Sequence, residues 1–364
     1  MLIYPILILF VHLFPIKVVG HGGNGCSQFN CISRDPENSI PSFLHAISAG
    51  ADIIETSVWI SKDDELIISH RNVIDSGRDD LYASITPGQS STTPRPSQYE
   101  HKHREKYPVK EPWSIARSEK DLYYSDQFNR PFNPPLYLLT LGEFLHFISQ
   151  TNTTAILEMS GNDPRLPHRI ISELEQYQAF DKIHAISTFS WSQYNPNPSQ
   201  IDLLEPLRND TRIKRALRFY GGRKYQALRY QFKQISQIHS PFTVVVHLIT
   251  SAIRSISNGV PFFTPNNDFI LDAAQHYNAS FIHPSCESLD QNWNHTIQRA
   301  HNSGIQTMCW FGRQTDTFHQ FEQVVQFNVD EISTNDPFGL TQFLRMKGLK
   351  EKPDRTSRRH FPPN

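Results

Sequence analysis

Short apolar runs typical of β-strands recur along this chain, with helix-like segments between them. Eight such runs can be located, at 17–20, 52–55, 155–158, 183–187, 213–219, 280–283, 306–311 and 331–334. The clearest helical patterns lie at 40–48, 140–149, 169–177 and 293–302. Strands that alternate with segments of crossover length form a parallel sheet, and eight of them close into a barrel. We therefore predict an α/β fold of the (β/α)8 TIM-barrel class over residues 16–345.

An open doubly wound sheet is the alternative fold. The length of 364 residues suits one barrel or two smaller domains, so size does not choose between them. A doubly wound sheet usually carries a glycine-rich phosphate loop that opens a helix. The run Gly20-His21-Gly22-Gly23 lacks the spacing of such a loop, which favours the barrel.

Four segments depart from the barrel pattern. Residues 1–15 are apolar but shorter than a membrane span, which predicts a signal peptide or a hydrophobic N-terminal anchor. The insertion at 73–134 is too polar to hold a fixed shape alone and is expected to form a mobile loop over the barrel mouth. The insertion at 220–268 turns from basic to apolar, which suits peripheral contact with an anionic membrane or, equally, a solvated helix followed by a packed one. Residues 346–364 are expected to form a basic, disordered tail.

Charge and cysteine usage limit the partners and the compartment. The net charge of -1 and the pI near 7.0 give no basic excess for nucleic acid. Glycosylation triplets begin at Asn152, Asn209, Asn278 and Asn294, which with the apolar leader predicts passage through the secretory pathway. Cys26 and Cys31 share a loop that they could close by pairing, whereas Cys286 and Cys309 are expected to be buried thiols.

Histidine and glutamate side chains stand where the first strands end. His21, Glu55 and Glu158 close the first three predicted strands, and barrel enzymes carry their chemistry at that end. Residues 61–70 read as a turn and a short return strand, which would bring His70 back beside Glu55. Two imidazoles can divide the proton transfers of a hydrolysis, and two carboxylates can hold a hard divalent cation.

These residues lie in motifs that resemble one known family, the glycerophosphodiester phosphodiesterases, whose fold is a phospholipase C-like TIM barrel. The resemblance rests on five blocks: Gly20-His21-Gly22-Gly23, Pro36-Glu37-Asn38-Ser39, residues 50–58 around Glu55, Ser61-Lys62-Asp63, and Ile67-Ile68-Ser69-His70. It implies that His21 and His70 act as general acid and base. It also implies that Glu55 and Glu158 bind a divalent metal, Mg²⁺ or Ca²⁺, and that Glu37 and Asn38 lie near the phosphate or orient a histidine.

Several positions depart from the family pattern, and they cluster at the site. Gly22 replaces an arginine, Ser57 an acidic metal ligand, and Ser160 a lysine, while Arg71 replaces an acid. A neutral hydroxyl at Ser57 is a weaker ligand for a hard cation than a carboxylate. Arg71, or a basic residue of the segment 220–233, is a candidate to replace a lost phosphate contact.

The preferred function is a metal-dependent phosphodiesterase that cleaves glycerophosphodiesters or lysophospholipids. Trp310 is a further candidate, as a wall of the substrate pocket. One alternative is a catalytically impaired barrel with a phospholipid-binding or scaffolding role. Another is a phospholipase D of the sphingomyelinase D type, since that group also lacks the arginine after its first histidine.

Overall fold

The structure is a computed structural model. It describes residues 15–24, 35–60, 65–69, 136, 138–160, 163–189, 200–219, 268–286, 289, 291–311 and 316–350, together with two strands at 113–117 and 122–126. The predicted leader, the insertion at 220–268 apart from its last residue, and most of the C-terminal tail lie outside these residues. So do Cys26, Cys31, His70 and Arg71.

The described residues form strands and helices in alternation. The strands are β1 (Lys17–His21), β2 (Ile53–Ile60), β3 (Leu66–Ile68), β4 (Trp113–Arg117), β5 (Leu122–Asp126), β6 (Thr154–Met159), β7 (Ile183–Phe189), β8 (Arg215–Phe219), β9 (Phe281–Pro284), β10 (Gln306–Trp310) and β11 (Glu331–Thr334). The helices are α1 (Ile40–Ser48), α2 (Leu141–Ser149), α3 (Leu166–Gln176), α4 (Asp268–His276), α5 (Gln291–Asn302), α6 (Phe318–Val325) and α7 (Pro337–Met346), with 3₁₀ turns at Phe180–Lys182 and Gln200–Leu207.

Eight parallel strands close into a barrel, which confirms the predicted fold. β1 pairs with both β2 and β11, and the remaining neighbours follow in the order β2, β6, β7, β8, β9, β10, β11. Each of these strands corresponds to one of the apolar runs that the sequence predicts. β2 continues five residues beyond its predicted end at 55, because Val58 and Ile60 pair with the return strand β3.

The return strand and the helix starts follow from local sequence. β3 runs antiparallel to β2, with Ile68 opposite Val58, as the turn at 61–65 predicts. Helix α2 begins with a capping box, in which the Thr140 side chain accepts from the Glu143 backbone N–H and the Glu143 carboxylate accepts from the Thr140 N–H. Both interactions satisfy backbone donors that a helix start would otherwise leave unpaired.

The core has two parts, one outside the barrel wall and one inside. The outer part lies between the helices and the strands and consists of apolar side chains from both. The inner part is a layer with one residue from each of seven strands: Val19, Ile53, Ile156, Ala185, Ala216, Phe281 and Met308. Side chains on a strand alternate between its two faces, so the residue two positions later on each strand points into the barrel one level nearer its C-terminal end.

The prediction of buried thiols at Cys286 and Cys309 is wrong, because the two residues form a disulfide. Both are buried, as expected. The pairing was missed because they are 23 residues apart in sequence. Cys286 lies two residues after the end of β9 and Cys309 lies in the adjacent β10, which places their Cα atoms 5.1 Å apart, within the range for a disulfide.

Part of the insertion at 73–134 has regular structure. β4 and β5 form an antiparallel hairpin, with Trp113 opposite Asp126 and Arg117 opposite Leu122. The sequence reading did not predict this hairpin. Among the helices that the structure describes, none combines the length and the apolar character needed to span a membrane.

Candidate active site

A layer of polar side chains lies at the C-terminal end of the barrel, directly above the inner apolar layer. It comprises the residues two positions after the apolar ones, which are His21, Glu55, Glu158, Ser187, Arg218, His283 and Trp310. All seven are buried. The barrel brings together the three strand-end residues His21, Glu55 and Glu158, as the sequence predicts. His70, the fourth, lies outside the described residues.

Arg218 is the centre of this layer. Its Nη1 donates hydrogen bonds to Glu55 Oε1 and to Glu158 Oε2. Arg218 on β8 thus joins a residue of β2 to a residue of β6. The second oxygen of Glu55 accepts from Ser333 Oγ at 2.5 Å, and the second oxygen of Glu158 accepts from Ser160 Oγ at 3.0 Å. The indole ring of Trp310 covers the guanidinium, with 4.5 Å between Arg218 Cζ and the ring centroid.

The two carboxylates share one arginine, but their pKa values are shifted in opposite directions. Burial acts to raise the pKa of Glu55, but the charges of Arg218, His21 and His283 and the bond from Ser333 lower it to about 2. Burial, together with the nearby Glu55 carboxylate, raises the pKa of Glu158 despite Arg218. Arg218 is the largest of the influences that keep Glu55 ionised, and Glu158 is the carboxyl of the pair that more readily takes a proton.

His21 is oriented by a side chain from beyond β11. Its Nδ1 lies 2.9 Å from Asn335 Oδ1. An amide oxygen only accepts, so Nδ1 carries the proton and Nε2 carries the lone pair of the neutral ring. The backbone N–H of Asn335 donates in turn to Asp316 Oδ2 at 2.7 Å, and Thr334 Oγ1 donates to the same oxygen. Burial raises the pKa of Asp316 to about 7.

His283 is a second imidazole of the site, and the sequence analysis did not predict it. It lies on β9 in register with Arg218 on β8, and it is fully buried. Within the described part of the chain, neither of its ring nitrogens has a hydrogen-bond partner. Burial and the adjacent guanidinium lower the pKa of His283 well below its usual value, so the ring is neutral near pH 7.

The described ends of the connection between β1 and α1, residues 22–24 and 35–39, lie against the same mouth. Gly22 has a left-handed φ of 57°, and its N–H donates to the Glu55 carbonyl at 3.0 Å. The backbone N–H of Asn38 donates to the carbonyl of Gly22 at 2.9 Å. Thr56 Oγ1 donates to Asn38 Oδ1 at 2.6 Å, and Glu37 beside it is completely buried. Asn38 is therefore tied to Gly22, directly after β1, and to Thr56 in β2, while the predicted role of Glu37 and Asn38 near the phosphate or a histidine stays a prediction.

The side chains present do not fit the divalent metal that the resemblance implies. Among the described residues, no three histidine, cysteine, aspartate or glutamate side chains are placed to hold a metal ion. Glu55 and Glu158, the two expected carboxylate ligands, both accept from Arg218. At Ser57 a hydroxyl stands where a third carboxylate is expected. The space between the carboxylates fits a guanidinium in place of Mg²⁺ or Ca²⁺.

Two further residues contact the charged groups of this layer, and one sequence signal was overlooked. Trp310 packs on Arg218, and its place in the wall of a substrate pocket stays a prediction. Ser160, which replaces a lysine, binds Glu158. Arg218 and His283 could have been found from sequence, because each follows an apolar inner-layer residue by two positions, as His21 follows Val19.

Comparison with solved structures assigns the class of fold. A glycerophosphodiester phosphodiesterase from Parabacteroides distasonis aligns over 91% of this chain and 98% of its own, at 16% identity and a TM-score of 0.53. An Oleispira antarctica phosphodiesterase, solved in complex with the product sn-glycerol-3-phosphate, aligns over 91% and 97%, at 13% identity and a TM-score of 0.50. No curated protein sequence matches the chain. At these identities the likeness shows the fold alone, which is a TIM barrel.

One family model matches part of the sequence. Residues 24–195, which span α1 to β7, match the model described as the glycerophosphoryl diester phosphodiesterase family. Over these residues the chain is similar to that family of phosphoric diester hydrolases.

Proposed function

We propose that this barrel hydrolyses glycerophosphodiesters or lysophospholipids, with His21 as one of its proton-transfer groups. The observation that carries the proposal is the placement of His21 at the barrel mouth, in one buried layer with Glu55 and Glu158 and with its Nδ1 held by Asn335. The family match and the relative bound to sn-glycerol-3-phosphate support this class of substrate. Peripheral membrane contact by residues 220–268 stays a prediction.

The proposed reaction needs one proton acceptor and one proton donor. Water attacks phosphorus, the bond between phosphorus and the leaving oxygen breaks, and the freed alcohol oxygen takes a proton. Nε2 of neutral His21 is suited to take the proton of the attacking water, because its Nδ1 already donates to Asn335. The second group is assigned to His70 by resemblance, and His283 is a further imidazole of this layer. The products are glycerol phosphate, or its acyl derivative, and the free alcohol.

The test is hydrolysis of glycerophosphocholine and lysophosphatidylcholine by the purified chain, followed by choline release. We expect His21→Ala to lower the rate by at least about a hundredfold, since a positioned general acid or base contributes roughly that much. His146→Ala is the matched control, because His146 is an exposed histidine of α2. Equal rates in His21→Ala and the parent chain would show that His21 is not a proton-transfer group.

A second candidate is a barrel that binds phospholipid headgroups without turnover. The observations that favour it are Gly22 and Ser160, which remove two cationic contacts to phosphate. Saturable binding of glycerophosphocholine without choline release would favour this role over hydrolysis.

We also propose that the protein matures in the secretory pathway. The Cys286–Cys309 disulfide requires an oxidising compartment, and the four glycosylation asparagines Asn152, Asn209, Asn278 and Asn294 are all exposed. A shift in mass after glycosidase treatment of protein from a eukaryotic host tests the proposal, and retention of the unmodified protein in the cytosol would contradict it.

A further inference from the structure

Arg218 lies where a cation is expected to sit in this family. It extends from β8 to the carboxylates of Glu55 on β2 and Glu158 on β6, and a single nitrogen, Nη1, donates to both. Its side chain is 2% exposed, and the side chains of Glu55 and Glu158 are 2% and 7% exposed. Two buried carboxylates that meet at one nitrogen need a nearby positive charge or a proton, and here a guanidinium supplies the charge.

The net charge of the cluster formed by Arg218, Glu55 and Glu158 matches the net charge expected for the family's metal site, because Ser57 replaces one carboxylate. A divalent ion among three carboxylates leaves one net negative charge. An arginine between two carboxylates leaves the same net charge. The loss of the acidic ligand at Ser57 and the presence of Arg218 therefore compensate each other, whereas either change alone would alter the charge of a buried cluster.

The arginine is also fixed in place by its surroundings. Trp310 covers the face of the guanidinium, and a cation over an indole ring is attracted to its π electrons. Ser333 and Ser160 bind the outer oxygens of the two carboxylates and hold those groups toward Arg218. An incoming metal ion would have to displace a buried, hydrogen-bonded arginine and leave its charge without a partner, which is unfavourable.

We propose that Arg218 replaces the divalent metal of the family, so that the site uses a built-in cation and needs no bound ion. The chemical part of this inference rests on the proposed function. A phosphodiester is already anionic, and negative charge grows as the leaving oxygen departs. Arginine stays protonated at all physiological pH values, so it offsets that charge without an exchangeable ion. Arg218 acts as an electrostatic and positioning residue that holds Glu55 and Glu158.

The first experiment uses the unmodified chain and measures metal binding directly. Dialysed protein is titrated with Mn²⁺ by calorimetry, with the electron paramagnetic resonance signal of free Mn²⁺ as a second readout. We expect the parent chain to show no saturable Mn²⁺ binding that is lost in the variant Glu158→Gln. Hydrolysis of glycerophosphocholine should change by less than about twofold between EDTA and added Mg²⁺ or Ca²⁺, because no step needs the ion.

The second experiment rebuilds the family's ligand set. The double variant Ser57→Asp with Arg218→Met restores three carboxylates and removes the arginine, so we expect it to bind about one Mn²⁺ per chain. Adding Glu158→Gln should abolish that binding. Arg215→Met is the matched control: Arg215 is a buried arginine of the same strand, but it donates to the carbonyls of Leu207, Asp210 and Asn278. It should bind no more Mn²⁺ than the parent chain.

The outcomes separate this inference from the proposed function. Binding of Mn²⁺ by the parent chain that is lost in Glu158→Gln, or hydrolysis that stops in EDTA, would overturn the role of Arg218. Absence of hydrolysis under every condition would overturn the proposed function alone, because the Mn²⁺ titrations of the parent chain and of the double variant still decide whether Arg218 excludes a metal.

Discussion

The bond between His21 and Asn335 shows how one side chain can set the chemistry of another. Because Nδ1 of His21 is bonded to an amide oxygen, the proton-accepting nitrogen of the ring is Nε2. Asn335 is fixed in turn through its backbone N–H, which donates to Asp316. Asp316 is thus two contacts away from the imidazole, and it is more than nine-tenths buried.

The first prediction concerns Asn335 as a positioning residue. Asn335→Ala removes the acceptor for Nδ1–H, so we expect kcat for glycerophosphocholine to fall by roughly 10–100-fold, the usual effect of losing a group that orients a functional histidine. Asn335→Asp keeps an acceptor oxygen at the same place and should restore most of the rate. The added carboxylate should also shift the acidic limb of the pH profile to higher pH, because it stabilises the imidazolium.

A purely structural role for Asn335 gives a different pattern. In that case both variants would lose stability and rate together, and the pH profile of Asn335→Asp would match that of the parent chain. Denaturation curves in urea alongside the rates make the distinction.

The second prediction is a pH dependence of stability that comes from Asp316. The pKa of this carboxyl is raised from 3.8 to about 7 in the folded chain, so between these values the unfolded state loses its proton while the folded state keeps it. Its contribution to the free energy of unfolding therefore falls as the pH rises from about 4 to about 7, by roughly 4 kcal/mol in total. Above that range the contribution is constant.

Asp316→Asn removes this titration and keeps an oxygen for Asn335 N–H and Thr334 Oγ1. Unfolding in urea at pH 5 and at pH 7.5 should show the variant gaining stability relative to the parent as the pH rises. All other titrating groups are common to both chains, so the difference isolates Asp316. A pH-independent difference between the two chains would show that Asp316 has an ordinary pKa.

At the scale of elements, the sequence predicts the positions of the strands, but it does not predict which side chains from different strands bind each other. The apolar runs located all eight barrel strands, because inner-layer residues such as Ile53 and Ile156 must be buried whatever the family. Glu55 and Glu158 could be placed at strand ends for the same reason. Their pairing with Arg218 joins residues 163 and 60 positions apart, which no local pattern encodes. The Cys286–Cys309 bond was missed for the same physical reason.

The third prediction concerns the turn between β1 and α1, where the family has an arginine and this chain has Gly22. A side chain at Gly22 would place its Cβ 2.9 Å from Glu37 Cβ, on a backbone with φ of 57°. Gly22→Ala should therefore lower the free energy of unfolding by the cost of a left-handed residue, about 1 kcal/mol or more, plus the cost of the clash. Gly304→Ala is the matched control, with φ of 73° and no heavy atom within 4 Å of the added Cβ.

We expect Gly22→Ala to be the more destabilising of the two by at least about 1 kcal/mol in urea denaturation. Equal costs would mean that Glu37 moves without penalty. Glu37 would then be free to make room for the family's arginine, and Gly22→Arg would be tolerated.

At the scale of the whole molecule, the disulfide ties two neighbouring strands of a closed barrel. Cys286 and Cys309 join the end of β9 to β10 across a sequence separation of 23 residues. A cross-link restricts the unfolded chain, and a loop of this length stabilises the folded state by about 3 kcal/mol in the chain-entropy description. The link lies beside the polar layer, since the residue after Cys309 is Trp310, which covers Arg218.

The fourth prediction follows from this placement. Replacing both cysteines by alanine should lower the free energy of unfolding by roughly 3 kcal/mol and should remove most of the effect of a reductant on Tm. The parent chain in dithiothreitol should approach the stability of the double variant. Alkylation followed by peptide mass analysis checks the premise, because residues 286 and 309 should resist alkylation until reduced. If they react in the native, unreduced protein, the two strands are held by packing alone, and the argument for an oxidising compartment then rests on glycosylation.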